Sequence, residues 1–386
     1  MRRTLAAAVA LVFAGCGVAL LVWAWRFDGA WFERHSVVPC FWLPPSPALH
    51  FSVRAALAIA GLCCVLLAPA TVRFVERPGA GAATARICVA FALALLASES
   101  ALRLLDGKTA FWRSAKIEFR IGRPDPRFGW VLLSRRSTVL QVSHFRPIRY
   151  TVDAWGDRSD AADHVPDPSR PSIVVAGESV AAGHGLEYAD SLAGVLERDL
   201  GVQVVNVAAG GYGTDQAALR ALDALARLQH PIALVQTFLP VQLQRNVQDY
   251  RPRLVLRDGA LVLAPAASGL FAGTRLRDLL VNEIPVLWDG KLRESLAVTA
   301  AVVRDVAAKA RARGAKPLFV VPALDSQRDL GWLIRALFED QGIPAVVLPV
   351  DSAHILPYDG HPDAEATKVM AGEVERALGL QVAAGR

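Results

Sequence analysis

Leu5 to Trp25 is a run of 21 residues without a charged side chain. A helix rises about 1.5 Å per residue, so this run reaches across the roughly 30 Å hydrocarbon core of a bilayer. Arg2 and Arg3 precede it, and by the positive-inside rule they hold the N-terminus in the cytoplasm. A second apolar stretch, Ala55 to Val72, carries Pro69 near its end, which a membrane helix tolerates. The loop beyond it sets Arg73, Arg77 and Arg86 against Glu76, the charge balance of a cytoplasmic loop. A third stretch, Ile87 to Leu105, is interrupted by Glu99 and Arg103, one turn apart. It reads as a third span with those charges near the outer headgroups, or as an interfacial helix; the span is the favoured reading. Three spans that begin inside place everything beyond residue 106 outside the cytoplasm. In a double-membraned bacterium this is a multi-pass inner-membrane protein with its C-terminal domain in the periplasm.

This membrane region explains why 53% of the chain is hydrophobic, a high share for a wholly soluble protein. Cys16, Cys40, Cys63, Cys64 and Cys88 all fall in the first 88 residues, so no disulfide framework is implied for the rest. Phe13-Ala14-Gly15-Cys16 is a poor lipoprotein cleavage box, because the apolar run continues past Cys16 to Trp25. The net charge of +6 comes from arginines spread along the chain without a dense run, which gives no reason to expect nucleic acid. Mild attraction to anionic lipid or an acidic polysaccharide fits the same charge. The eight histidines lack ligand spacing, and neither a metal nor another cofactor is expected.

Residues 1–106 are therefore read as a membrane anchor, 107–170 as a polar lead-in and linker, and 171–386 as an external α/β domain. In that last part, strands expected at Ile173–Ala176, Val202–Val207, Ile232–Thr237, Pro317–Val321 and Ala345–Val350 alternate with helices. The helices are expected at Ala189–Leu200, Gln216–Leu228, Ser295–Arg313, Leu330–Asp340 and Ala364–Leu378. Such alternation predicts a parallel sheet covered on both faces, with active groups in the loops at the carboxyl ends of the strands.

Three of those loops carry chemistry. Gly177-Glu178-Ser179 ends the first strand and opens a helix. Ser179 is either an ordinary N-cap or a nucleophile held clear of the sheet, beside helix N–H groups that can receive negative charge. Asn206 to Gln216 follows the second strand; its glycines allow an N–H to point at an oxyanion, and equally allow a plain turn capped by Thr214 or Asp215. Tyr358-Asp359-Gly360-His361-Pro362-Asp363 follows the last strand. Asp359 and His361 there supply a base and its orienting acid, or form a solvated turn.

Gly177-Glu178-Ser179, Asn206 to Gln216 and Asp359-Gly360-His361-Pro362, in this order and spacing, resemble the blocks of the SGNH (GDSL-like) hydrolases. Pro124 to Trp130 and Tyr150 to Arg158 resemble the lead-in of bacterial members. The resemblance covers roughly residues 120 to 380. It implies Ser179 as nucleophile and, through its N–H, as first oxyanion donor, with Gly211 as second donor, His361 as base and Asp359 as its partner. Two positions depart from the pattern. Glu178 stands where the family usually has Asp. Where a Gly-Asn-Asp block is expected after Leu239, the chain reads Pro240-Val241-Gln242, and Val241 cannot replace the donor Asn. Gln242 and Asn246 are the nearby amides that would have to turn in instead.

The implied function is a membrane-anchored esterase or O-acyltransferase acting through an acyl-serine on an acylated envelope glycan or a small ester. Resemblance to membrane-linked members that modify exopolysaccharide points to an acetylated glycan and to polysaccharide-assembly partners. The other reading is a catalytically weak or inactive carbohydrate-binding or assembly protein in which the same residues survive as a polar cleft.

Overall fold

The computed structural model describes residues 2–26, 47–106, 121–140, 147–269, 271–278, 281–282, 289–323, 330–357 and 360–380. The chain divides into two compact units, Met1–Leu105 and Asp106–Arg386.

The first unit holds helices α1 (Arg2–Arg26), α2 (Pro47–Glu76) and α3 (Ala80–Asp106). Ala6–Arg26, Arg54–Glu76 and Ala80–Arg103 are each long and apolar enough to cross a membrane. α1 and α2 pack as an antiparallel pair along small buried residues, Ala6, Gly17 and Ala24 facing Gly61 and Ala68. Spacings of seven and eleven residues keep these positions on one face of each helix. A Cβ on Gly17 would stand 2.7 Å from the Gly61 carbonyl oxygen, and one on Gly61 would stand 2.8 Å from that of Gly17. Close backbone approach of this kind is what holds a pair of helices together where lipid removes the hydrophobic driving force. At the end of α3, Glu99 and Arg103 pair at 2.6 Å.

The second unit is built on an eight-stranded sheet, in the order β12-β11-β8-β6-β7-β5-β4-β3. Its parallel part comprises β6 (Ser172–Ala176), β7 (Gln203–Asn206), β8 (Pro231–Thr237), β11 (Lys316–Ala323) and β12 (Ala345–Pro349). These are the strands expected from the apolar runs. β6 lies at the centre, and Ile173 to Ala176 are fully buried, as a continuous apolar run in a two-sided sheet requires. The helices between are α4 (Ser179–Ala182), α5 (Leu192–Leu200), α6 (Thr214–Arg227), α7 (Val241–Val247), α8 (Arg275–Asp278), α9 (Asp289–Ala312), α10 (Gly331–Leu337) and α11 (Ala364–Leu378). α5 packs with α11, and α6 with α9. The chain steps from β6 to β7, then back past β6 to β8, so right-handed crossovers put the two helix pairs on opposite faces.

The lead-in adds what the sequence did not announce. β3 (Arg136–Leu140), β4 (Ile148–Val152) and β5 (Arg158–Ser159) extend the parallel sheet by three antiparallel strands, making it mixed. β1 (Gly122–Asp125) and β2 (Gly129–Leu132) form a separate hairpin. Ile121, Leu132, Leu140, Ile148, Tyr150 and Val152 bury themselves together with Ala209 and Tyr212, which ties the lead-in to the loop after β7. A second hairpin, β9 (Arg253–Arg257) with β10 (Ala260–Ala264), follows α7.

Candidate active site

β6 ends at Ala176 and turns through Gly177, whose φ is +147°. A Cβ there would lie 2.0 Å from Thr237 Oγ1, so a larger residue is excluded by both conformation and space. Glu178, fully buried, is the N-cap of α4, and Ser179 is its first helical residue rather than the cap. Glu178 Oε2 accepts from the Val180 N–H at 2.6 Å, and Oε1 accepts from the Thr237 hydroxyl at 2.9 Å. The carboxylate thus fastens the turn after β6 to the end of β8.

Ser179 is half-buried, and its Oγ lies 2.8 Å from His361 Nε2 across 182 residues of sequence. The same Oγ lies 3.2 Å from Glu178 Oε2. His361 is 5% exposed, and its ring packs against that of His184 with centroids 4.5 Å apart. The loop carrying His361 closes on itself: Leu356 N–H donates to the His361 carbonyl at 2.7 Å, and Asp363 N–H to that of His354 at 3.0 Å. Asp363 then caps α11 by accepting from the Ala366 N–H at 2.9 Å. Asp359 lies outside the described residues.

The glycine loop runs alongside the serine turn. Val207 N–H donates to the Val175 carbonyl at 2.9 Å and Ala209 N–H to that of Gly177 at 3.3 Å. Asn206 Nδ2 donates to the Ala181 carbonyl at 2.9 Å, while its Oδ1 accepts from the Ala208 N–H at 3.1 Å. Gly211, two residues further on, is partly exposed. The cap of α6 is Gly213, whose N–H donates to Gln216 Oε1 at 2.9 Å, rather than Thr214 or Asp215. Asp215 is instead held in a buried two-bond pair with Arg251, at 2.8 and 2.9 Å.

Of the two amides considered as substitute donors, Asn246 is committed elsewhere: its Oδ1 accepts from the Asp215 N–H at 3.4 Å and its Nδ2 donates to Thr299 Oγ1 at 2.7 Å. Gln242 is fully buried one residue into α7. Its Oε1 accepts from the Thr214 hydroxyl at 2.9 Å, and its Nε2 has no partner among the described residues.

Three contributors were not singled out from sequence. Thr237 holds Glu178, and His184 packs on His361. Arg158 is wholly buried beneath the segment after Ser179; its guanidinium donates to the carbonyls of Ala182 at 3.1 Å and Leu186 at 2.7 Å and stacks 3.7 Å from the Tyr150 ring centroid. His184 lies five residues after Ser179 in the sequence. A buried Arg and a strand-end Thr carry no sequence signal of their own.

A serine hydroxyl within hydrogen-bond reach of an imidazole is the arrangement of a nucleophile and its base. The elements deliver it at the carboxyl ends of the parallel strands, where the strand order reverses about β6 and ligands gather in open α/β sheets.

No family model matches the chain, and no curated protein does. Among solved structures it is similar to a G-D-S-L family protein from Desulfitobacterium hafniense DCB-2, at 15% identity over 53% of this chain and 98% of that one, with a TM-score of 0.32. It is also similar to an acetyl xylan esterase from the rumen bacterium Butyrivibrio proteoclasticus, at 15% identity over 58% of this chain and 68% of that one, TM-score 0.33. A carbohydrate esterase described as having divergent catalytic and non-catalytic binding functions matches at 10% identity, over 56% and 66%, TM-score 0.33.

Proposed function

We propose that the protein is a membrane-anchored serine esterase or O-acyltransferase of SGNH type, with its α/β domain in the periplasm and an acetylated envelope glycan as substrate. The hydrogen bond between Ser179 and His361 carries the reading. In the proposed reaction Ser179 Oγ attacks the ester carbonyl carbon while its proton passes to His361 Nε2. The N–H groups of Ser179 and Gly211 receive the oxyanion, and Gln242 Nε2, buried and without a partner among the described residues, turns toward it as the third donor. Collapse of the tetrahedral intermediate breaks the ester C–O bond, and the imidazolium returns its proton to the leaving alcohol. Water or a sugar hydroxyl then takes the acyl group from serine. Asp359, two residues before His361, has the role of orienting acid.

Hydrolysis of an acetylated sugar by the full-length protein in detergent tests this reading. Turnover is expected to vanish in Ser179→Ala while the fold persists. A wild-type protein that is folded, binds the sugar and turns nothing over would favour the carbohydrate-binding reading, which the absence of the usual Asn at Val241 motivates.

A further inference from the structure

The lead-in hairpin places an aromatic side chain on the candidate oxyanion loop. Indole atoms Cζ2 and Cη2 of Trp130 lie 3.4 and 3.9 Å from where a Cβ on Gly211 would stand. Trp130 is gripped from several sides. Its carbonyl accepts from the Tyr212 hydroxyl at 2.7 Å, and the two rings pack at 5.4 Å between centroids, tilted by 56°. Two residues earlier, the Phe128 carbonyl accepts from Gln216 Nε2 at 2.5 Å, and Trp130 pairs with Pro124 across the hairpin. Yet Trp130 is not fully covered. Trp130 remains half-buried while its neighbours Ile121 and Tyr212 are fully buried and Leu132 nearly so.

We propose that Trp130 is a stacking platform for the pyranose ring that bears the ester, and so a specificity-determining residue; this rests on the acyl-transfer reading of Ser179. An aromatic face presents negative charge density, and the C–H groups of a pyranose ring present a weakly positive, apolar surface to it. Stacking on that surface beside Gly211 holds the ring in the ground state and the transition state alike, so the platform acts on KM. Because the Tyr212 ring packs against the indole and the hairpin and the Tyr212 hydroxyl fix the Trp130 backbone, little side-chain freedom is lost when a sugar lands on it. An ester without a ring gains nothing from the platform.

The test uses full-length protein in detergent, with Trp130→Leu, which keeps an apolar body without a flat face, and Trp130→Phe, which restores a smaller one. Two esters are compared: O-acetylated methyl glucoside, and ethyl acetate, which carries the same acyl group without a ring. Trp130→Leu is expected to raise KM for the glucoside about tenfold with kcat little changed, to leave kcat/KM for ethyl acetate within about twofold, and to be largely rescued by Phe. Calorimetric binding of the glucoside to Ser179→Ala and to Ser179→Ala with Trp130→Leu gives a readout independent of turnover, and the second is expected to bind about tenfold more weakly. Equal losses on both esters, or binding of the glucoside that is absent or indifferent to Trp130, overturn the platform. Trp130-dependent binding without turnover of either ester would sink the catalytic reading and leave the platform standing.

Discussion

Ser179 has one proton to give and two neighbours placed to receive it. The shorter contact, 2.8 Å, is to His361 and the longer, 3.2 Å, to Glu178. A hydroxyl donates once, so attack on a carbonyl requires the orientation toward an unprotonated His361 Nε2. Glu178 is meanwhile occupied with Val180 and Thr237, so that one carboxylate caps α4 and reaches β8 together. Replacing Gln242 by Ala is expected to lower kcat by about 100- to 1000-fold with little change in KM, the usual cost of one oxyanion donor. Steady-state kinetics decide it: unchanged kcat removes Gln242 from the mechanism. Gly177→Ala forces a Cβ into Thr237 at a positive φ, and a loss on the order of 3 kcal/mol is expected. A melting temperature lowered by roughly 10 °C, with activity impaired, would bear this out; an unshifted melt would mean that the turn relaxes freely.

At the scale of elements, the lead-in strands carry their own pH dependence. Asp157, between β4 and β5, has its pKa pushed up to about 6 by burial, which the attraction of Arg220 offsets only in part and which the charge of Asp153 reinforces. Asp153 is itself raised, chiefly by burial. Between the ordinary value of 3.8 and about 6, the folded state holds more protons than the unfolded one, so stability falls as pH rises through that window. The effect from Asp157 is on the order of 3 kcal/mol. Chemical denaturation between pH 4 and 7 is expected to show this decline and Asp157→Asn to flatten it; an identical slope in the variant would count against the assignment. The same elements show where sequence reading stops. β6, β7, β8, β11 and β12 announce themselves as apolar runs, and the loops after β6, β7 and β12 follow from them. β5 is two residues long and consists of Arg158 and Ser159, both buried. β3 is mostly exposed. Neither has an apolar signature: β3 is placed by its antiparallel pairing with β4, and β5 by its pairing with β4 on one side and β7 on the other. The buried pairs Asp157–Arg220 and Asp215–Arg251 are hidden for a related reason: from sequence, a charged residue reads as solvated until its partner is known.

At the scale of the molecule, three helices long and apolar enough to cross a membrane precede a domain that carries its own core and its own candidate site. Arg2 and Arg3, and the arginines around the turn between α2 and α3, argue for an N-terminus in the cytoplasm and a C-terminal domain outside. A C-terminal alkaline phosphatase fusion is accordingly expected to be active and a C-terminal green fluorescent protein fusion dark; the reverse pattern would refute the orientation. Whether Ser179 is an activated nucleophile is tested most directly by covalent labelling of the full-length protein with a fluorophosphonate, mapped by mass spectrometry against Ser179→Ala. Modification at Ser179 that disappears in the variant is the predicted result. A folded wild-type protein that takes up no label at Ser179 would contradict the proposal that His361 activates it.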